Sequence, residues 1–499
     1  MGTAAEGKRA MAADKPNVVL FISDQQHADT IGAGGVEGIR TPHLDWIADD
    51  GALFSRAYCP YPICSPSRMA TLSGLYPHSN GMVANHQMRP GCDLMRYPEG
   101  VRNLGDYLGD LGYLRGYAGK WHLGSGAARP GFPDFCSRSG DIDVDQRAQN
   151  EVLRLTQQIG VEIGGKEHGF EPDPTVYNRK TSVGPSLLPL AQHPSFFHMD
   201  HASDWVRSRK GDDRPFCLVY SCHEPHPPYT SPEPFHSMYD PADMDVPANR
   251  HDPGGPALVA HRDAEQLKVI SDWTDDEIRS MRAAYRGAVS YVDHLVGRLV
   301  TALLDADKWD NTLFIFFSDH GEMLGHHGLA AKGAVMYEDL VRIPLIVRPT
   351  GGLGFAHRSA RVVSLVDIVP TVVAMCGGQP ADVLQGVDFS DLVRGGDRQV
   401  NEGVAAEFHS VNWTDPLHPL RMWVDERWKY VESQDDSDEL YDLRDDPLEL
   451  NNLIANRANQ AQLDRSREAL GRWLAATGDS WPDIVQPPPR PATLARSIV

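Results

Sequence analysis

"NVVLFISD" (residues 17–24) is an apolar run that breaks into polar residues only at Ser23-Asp24-Gln25. A strand covered on both faces needs no polar alternation, so this run reads as a central strand of a parallel sheet. Three more runs share its texture: "FCLVYSCHEPH" (216–226), "TLFIFFSDHG" (312–321) and "PLIVRPT" (344–350). Helical patterns lie between them. The clearest begins at Thr274, where Glu277 completes a capping box, and carries Ile278, Met281, Tyr285, Val289, Val292, Leu299 and Leu303 along one face. Strands alternating with helices predict an α/β fold, a large and mostly parallel sheet sandwiched by helices.

The first three runs end in residues able to do chemistry: Ser23-Asp24-Gln25, Cys222-His223-Glu224-Pro225-His226 and Ser318-Asp319-His320. Ligands of open α/β sheets sit outside the carboxyl ends of the strands. Distant parts of the chain are therefore expected to build one site.

The chain has 499 residues, too many for one ordinary core, and fits a large domain plus something smaller. Its formal net charge of −21 repels nucleic acid and anionic lipid, so neither is expected as a partner. An anionic substrate would need a locally basic pocket. No stretch approaches the apolar length of a membrane helix, and "MGTAAEGKRAMAADKPN" lacks the apolar core of a secretory signal. The seven cysteines are odd in number and scattered, which argues against a disulfide framework or zinc knuckle and for a reducing cytoplasm.

The expected organisation is a disordered lead-in (1–14), the α/β domain (15–395), a small C-terminal antiparallel α+β subdomain (396–480) and a Pro-rich tail (481–499), either free or an arm onto a second subunit. "RMWVDERWKYVE" and "DELYDLRDDPLELNNL" supply strands and turns for the subdomain, and Leu463, Leu470 and Leu474 mark one face of its helix. Within segment 125–210, the stretches "SGAARPGFPDF" and "GFEPDPTVYNRKTSVGP" read as long loops over the site.

"YPICSPSRMATLSGLYP" (61–77) starts a helix: Ser65 suits the N-cap, Pro66 the first turn, and Gly74 the end. Cys64 then lies just ahead of a helix N-terminus, with Arg68 reaching back from the first turn, as in an anion site with a reactive side chain. Taken alone, Cys64 reads as a buried structural cysteine. A cysteine phosphatase loop needs five residues between Cys and Arg, and three stand here. Of the 21 histidines, His78, His86, His223, His326 and His327 read as solvated surface residues.

Cys64-Ser65-Pro66-Ser67-Arg68 resembles the C-x-P-x-R signature of the type I sulfatases, in the alkaline phosphatase-like superfamily. "PNVVLFISDQQ", "TPHLDWIADDGALFSRAYCPYPICSPSR", "GYAGKWHLG" (116–124), "EPHPPY" (224–229), "SDHGEMLGHHG" (318–328) and "LYDLRDDPLELNNL" (440–453) match in family order over most of 15–455. The resemblance implies that a formylglycine-generating enzyme oxidises Cys64 to formylglycine. The hydrated aldehyde attacks sulfur or phosphorus, and deprotonation of its second hydroxyl then expels the product. It implies one divalent metal, Ca²⁺, Mn²⁺ or Mg²⁺, at Asp24, Asp319 and residue 64.

Many members carry Asp-Asp and Asp-Asn where this chain has Asp24-Gln25 and Asp319-His320. These pairs are similar to the branch with phosphonate monoester hydrolases and choline sulfatases, in which a histidine, here His320, completes the metal shell and shifts preference towards Mn²⁺. Gln25 either ligates through its amide oxygen or lines the site. By the same resemblance Arg68 holds the aldehyde hydrate, and Lys120 and Lys332 bind the anionic oxygens of the substrate. His122 takes the proton for hemiacetal collapse, and His226, with Lys332 as competitor, protonates the leaving oxygen. Asn85 contacts substrate. Where the family often has Arg after Thr-Gly, this chain reads Leu72-Ser73-Gly74-Leu75.

The expected function is hydrolysis of an organic sulfate monoester. The alternatives are a phosphonate monoester hydrolase or phosphodiesterase with the same site, and a non-catalytic metal- or anion-binding homologue that keeps Cys64 unmodified.

Overall fold

A computed structural model describes residues 15–85, 88–89, 92–93, 97–124, 129–135, 180–186, 188–252, 267–381, 383–409, 419–434 and 437–480. The expected lead-in and tail, His86 and much of segment 125–210 lie outside the described residues.

Six strands form the body of one sheet: β1 (Asn17–Ser23), β2 (Ala52–Tyr58), β3 (Leu114–Gly119), β4 (Phe216–Ser221), β5 (Thr312–Ser318) and β6 (Arg342–Arg348). Their spatial order is β2-β6-β5-β1-β4-β3. β1 lies parallel to β5 with Ser23 opposite Ser318, and parallel to β4 with Ile22 opposite Ser221. That register brings Asp24, Cys222 and Asp319 to one edge of the sheet.

The fourth apolar run departs from expectation. β6 runs antiparallel to both β5 and β2. The chain stays at the carboxyl edge after β5 and turns back through the short helix Glu338–Val341, so no crossover returns it to the opposite edge. An apolar run reports burial on two faces and carries no sign of strand direction.

β1 accounts for both layers. Val18, Leu20 and Ile22 join Met69 and Leu72 of α1 (Cys64–Ser73) in one core. Val19 and Phe21 join α2 (Pro194–Arg207) and α3 (Asp275–Asp305) in the other. Alternating side chains of a strand point to opposite faces, and each such side chain fully buried contributes about 1.5–3 kcal/mol. α3 begins at Thr274 with both capping-box hydrogen bonds present, as the sequence predicts. α2 falls within segment 125–210 but outside the two stretches read as loops.

The C-terminal sheet is antiparallel, in the order β7 (Val404–Phe408), β8 (Leu420–Val424), β9 (Trp428–Ser433), β10 (Glu439–Asp442). Ala406, Phe408, Met422, Val424 and Val431 on one face merge with the main core. Ala405, Tyr430 and Leu440 on the other face pack against Leu463, Leu470 and Trp473 of α4 (Gln460–Thr477). Ala70 of α1 belongs to the same cluster, so the C-terminal sheet and α4 back the helix that carries Cys64.

Candidate active site

The strand ends place the acids, and α1 places the thiol. Ile63 is the N-cap of α1 and Cys64 its first residue. Ser65 is therefore inside the helix and not its cap, as the sequence reading had it. The cap comes from outside: the Ser65 N–H donates to Asn85 Oδ1 at 2.8 Å, from twenty residues on. Asn85 thus supports the helix end on which Cys64 sits.

Arg68 is buried and ties three strand ends together. Its Nε donates to Asp319 Oδ2 at 2.7 Å, its Nη2 to Asp24 Oδ2 at 3.2 Å, and its Nη1 to Ser221 Oγ at 2.7 Å. Lys120, at the end of β3, contacts Asp24 and lies 3.9 Å from Cys64 Sγ. Lys332 Nζ approaches that sulfur to 2.8 Å, His320 Nε2 lies 3.2 Å from it and Asp24 Oδ1 3.6 Å. Seven of the eleven residues singled out from sequence (Asp24, Cys64, Arg68, Lys120, Asp319, His320 and Lys332) thus meet in one contact network. Gln25 joins through its N–H, which donates to Asp319 Oδ1 at 3.0 Å. His122 stands two residues after Lys120, half-buried, at φ 56. Gln25 is also left-handed, at φ 64. Such conformations in non-glycine residues cluster where a site dictates the backbone.

The charges explain the titration behaviour. Burial raises Asp24, but the charges of Lys120, Arg68 and Lys332 together hold it well below the usual carboxylate range. Burial and Asp24 push the Cys64 thiol up, and Lys120, Lys332 and His320 overcome them and bring it to about 5. Burial, then Lys332 and Lys120, push His226 well below the usual imidazole range. The His226 Nδ1–H donates to the Pro227 carbonyl at 2.5 Å, which leaves the Nε2 lone pair available.

The donor set fits a divalent cation. One ligand atom each from Asp24, Cys64, Asp319 and His320 lies within 4.8 Å of the others. The His320 Nδ1–H donates to the Gly321 carbonyl at 2.9 Å, so the Nε2 lone pair faces the cluster. Gln25 Nε2 donates to Glu322, while its Oε1 is buried without a hydrogen-bond partner. A buried polar atom left unpaired is costly unless something else satisfies it, and a cation would do so.

Sequence reasoning missed several supporting groups. Ser221, which receives Arg68, and Glu322, which fixes the Gln25 amide, lie inside quoted motifs, but neither residue type announces the role. The surface reading also fails for three histidines. His327 is buried and bonded to Asp252 at 2.7 Å. His326 lies 3.2 Å from Asp339, and His78 is 2.6 Å from Glu407. His223 is exposed, as expected.

A mostly parallel sheet with two carboxylates, an imidazole, an arginine and a buried cysteine at its carboxyl edge is the architecture of an alkaline phosphatase-like hydrolase. The profile of the Sulfatase family matches residues 16–378, and that of N-sulphoglucosamine sulphohydrolase, C-terminal, matches 325–473. The chain is 30% identical over 444 residues to the protein named uncharacterized sulfatase YidJ of Escherichia coli (strain K12), covering 88% of this chain and 83% of that protein. It is 26% identical over 462 residues to the choline-sulfatase of Rhizobium meliloti (strain 1021), covering 89% and 84%. The crystal structure of the phosphonate monoester hydrolase of Agrobacterium radiobacter is similar with a TM-score of 0.77 at 26% identity, over 93% of this chain and 96% of that one. This chain belongs to the sulfatase family of the alkaline phosphatase-like superfamily, and it is a hydrolase acting on sulfuric esters. Among the described residues, no helix is long and apolar enough to cross a membrane.

Proposed function

We propose that this hydrolase cleaves an organic sulfate monoester with formylglycine, made from Cys64 by a formylglycine-generating enzyme, and one divalent metal. The observation that carries the reading is the position of Cys64 Sγ: it lies 2.8 Å from Lys332 Nζ, 3.2 Å from His320 Nε2 and 3.6 Å from Asp24 Oδ1. A formylglycine hydrate supplies a geminal diol, one hydroxyl of which attacks while the other lets the enzyme shed sulfate without attack of water on sulfur. A divalent ion held by Asp24, Asp319, His320 and the Gln25 amide oxygen would neutralise substrate and nucleophile charge, and the imidazole in that set favours Mn²⁺ over Ca²⁺.

The chain's own groups do the rest. With a neutral residue 64, two carboxylates (Asp24, Asp319) face three cations (Arg68, Lys120, Lys332), and this local positive excess suits an anionic ester inside an acidic protein. Arg68, clamped by Asp24, Asp319 and Ser221, is oriented before substrate arrives. Lys120 and Lys332 neutralise charge on the sulfate oxygens. His226 is neutral with its Nε2 lone pair free, so Lys332 is the readier proton donor to the leaving oxygen. His122 is assigned to deprotonate the second hydroxyl. Asn85 holds the helix end through its Oδ1 and keeps the substrate contact assigned to it from sequence.

A second reading, phosphonate monoester hydrolysis, is favoured by the Asp24-Gln25 and Asp319-His320 pairs and by the similarity to the Agrobacterium radiobacter enzyme. Both substrates present a tetrahedral anionic centre, so the same residues serve either. Paired kcat/KM values on an aryl sulfate and an aryl phosphonate monoester, with Cys64→Ala as control, separate the two. A sulfate preference that disappears in Cys64→Ala supports the proposal. A phosphonate preference moves the protein to the second reading, and undiminished turnover by Cys64→Ala removes formylglycine from the account.

A further inference from the structure

The late motif "LYDLRDDPLELNNL" has no residue in the contact network around Cys64, yet it reaches that network through one segment. Lys332 begins the stretch that leads into β6. Four residues on, the Met336 carbonyl accepts from Lys429 Nζ at 2.9 Å. Six residues on, Glu338 pairs with the same ammonium at 2.7 Å and donates its N–H to Glu449 Oε2 at 2.7 Å. Glu449 Oε1 accepts from Lys429 at 2.8 Å. Lys429 lies on β9, Glu449 lies in the late motif, and both side chains are sealed from solvent. The intervening Tyr337 stacks on His327 at 3.7 Å. The segment is thus pinned on the C-terminal side, while its first residue touches Cys64.

Burying one ammonium against two carboxylates gains little stability over an apolar core of the same shape, and such a group is well suited to fixing a unique arrangement. Its three acceptors come from two parts of the chain, so the ammonium specifies where 336–338 must lie relative to β9.

We propose that Lys429 and Glu449 are positioning residues: by anchoring Met336 and Glu338 they hold Lys332 against residue 64, and the C-terminal sheet thereby completes the active site. This inference rests on the reading of Lys332 as a substrate-binding group.

The test is a double-mutant cycle of Lys332→Ala and Lys429→Met on matured, metal-loaded protein, with rates expressed per aldehyde at residue 64. Lys429→Met is expected to lower kcat by about tenfold or more when Lys332 is present, since small misplacements of a catalytic group are costly. In the Lys332→Ala background the same change is expected to lower kcat by no more than about twofold, because the two residues act through one contact. Lys429→Arg should restore most of the loss. Equal losses in both backgrounds overturn the proposal and leave the role of Lys332 intact. Full turnover by Lys332→Ala alone defeats the reading of Lys332 and the proposal with it. If Lys429→Met does not give a cooperative thermal melt, the cycle is run with Glu449→Gln, which keeps one acceptor oxygen and is held to the same outcomes.

Discussion

Two buried lysines mark the difference between the working part of this molecule and its frame. Lys429 is fully paired: it donates to the Met336 carbonyl and to Glu449 and forms an ion pair with Glu338. Lys332 is almost as deeply buried, but it contacts a sulfur and an imidazole nitrogen and, among the described residues, no carboxylate. A buried ammonium held by a carbonyl and two carboxylates fixes a backbone. One with no carboxylate beside it, next to Cys64, is on the proposed reading prepared for the substrate's anion. Lys120 stands between them, paired with Asp24 yet still within 3.9 Å of Cys64 Sγ.

The largest effect expected is at the nucleophile. Cys64→Ala should lower kcat/KM on a sulfate ester by about 10⁴-fold or more, because no other group in the site can take over covalent catalysis. Next, Lys332→Met should lower kcat by about 10²–10³-fold with little change in Tm, as expected for loss of a transition-state contact. Lys429→Met should break the symmetry: it leaves the buried Glu449 without its cation and Glu338 with Arg342 as its remaining cation, and should remove about 3–5 kcal/mol of stability in urea unfolding. A stability loss as large for Lys332→Met would erase the distinction between the two lysines.

Metal depletion sharpens the same contrast. Dialysis against a chelator should abolish turnover while leaving the Lys429 cluster and the melt nearly unchanged, and Mn²⁺ should restore activity better than Ca²⁺. Restoration by Ca²⁺ alone would contradict the assignment of His320 as a ligand.

The smallest effect concerns the seam between α1 and the C-terminal sheet. Burial pulls the His78 pKa down, but the hydrogen bond to Glu407 and the charges of Glu407 and Asp479 outweigh it and raise it. A raised imidazole pKa stabilises the fold fully below the unfolded value, and that contribution is lost as pH rises through the folded value. The stability difference between the wild type and His78→Gln should therefore be larger at pH ~6 than at pH ~9. Equal differences from urea melts at the two pH values would show that His78 acts without its charge.

The part of the site legible in the sequence is the part fixed by strand ends. Asp24 and Asp319 follow apolar runs directly, and parallel register alone brings them together. The Cys64–Arg68 pentapeptide is equally visible, because its spacing on one turn of α1 is local. The cap of α1 was misplaced because its acceptor, Asn85, arrives from twenty residues away. The direction of β6 was unreadable because burial on two faces erases polarity. The Lys429 cluster was invisible for a third reason: Met336, Glu338, Lys429 and Glu449 come from three segments, and each looks ordinary in its own.

The central claim is that residue 64 acts as an aldehyde. The direct measurement is the mass of the tryptic peptide Ala57–Arg68 from protein made with and without a formylglycine-generating enzyme, set against sulfate-ester turnover of the same preparations. The account predicts that the aldehyde fraction and the rate rise together and vanish together. Full turnover from protein whose residue 64 is an intact thiol would contradict it.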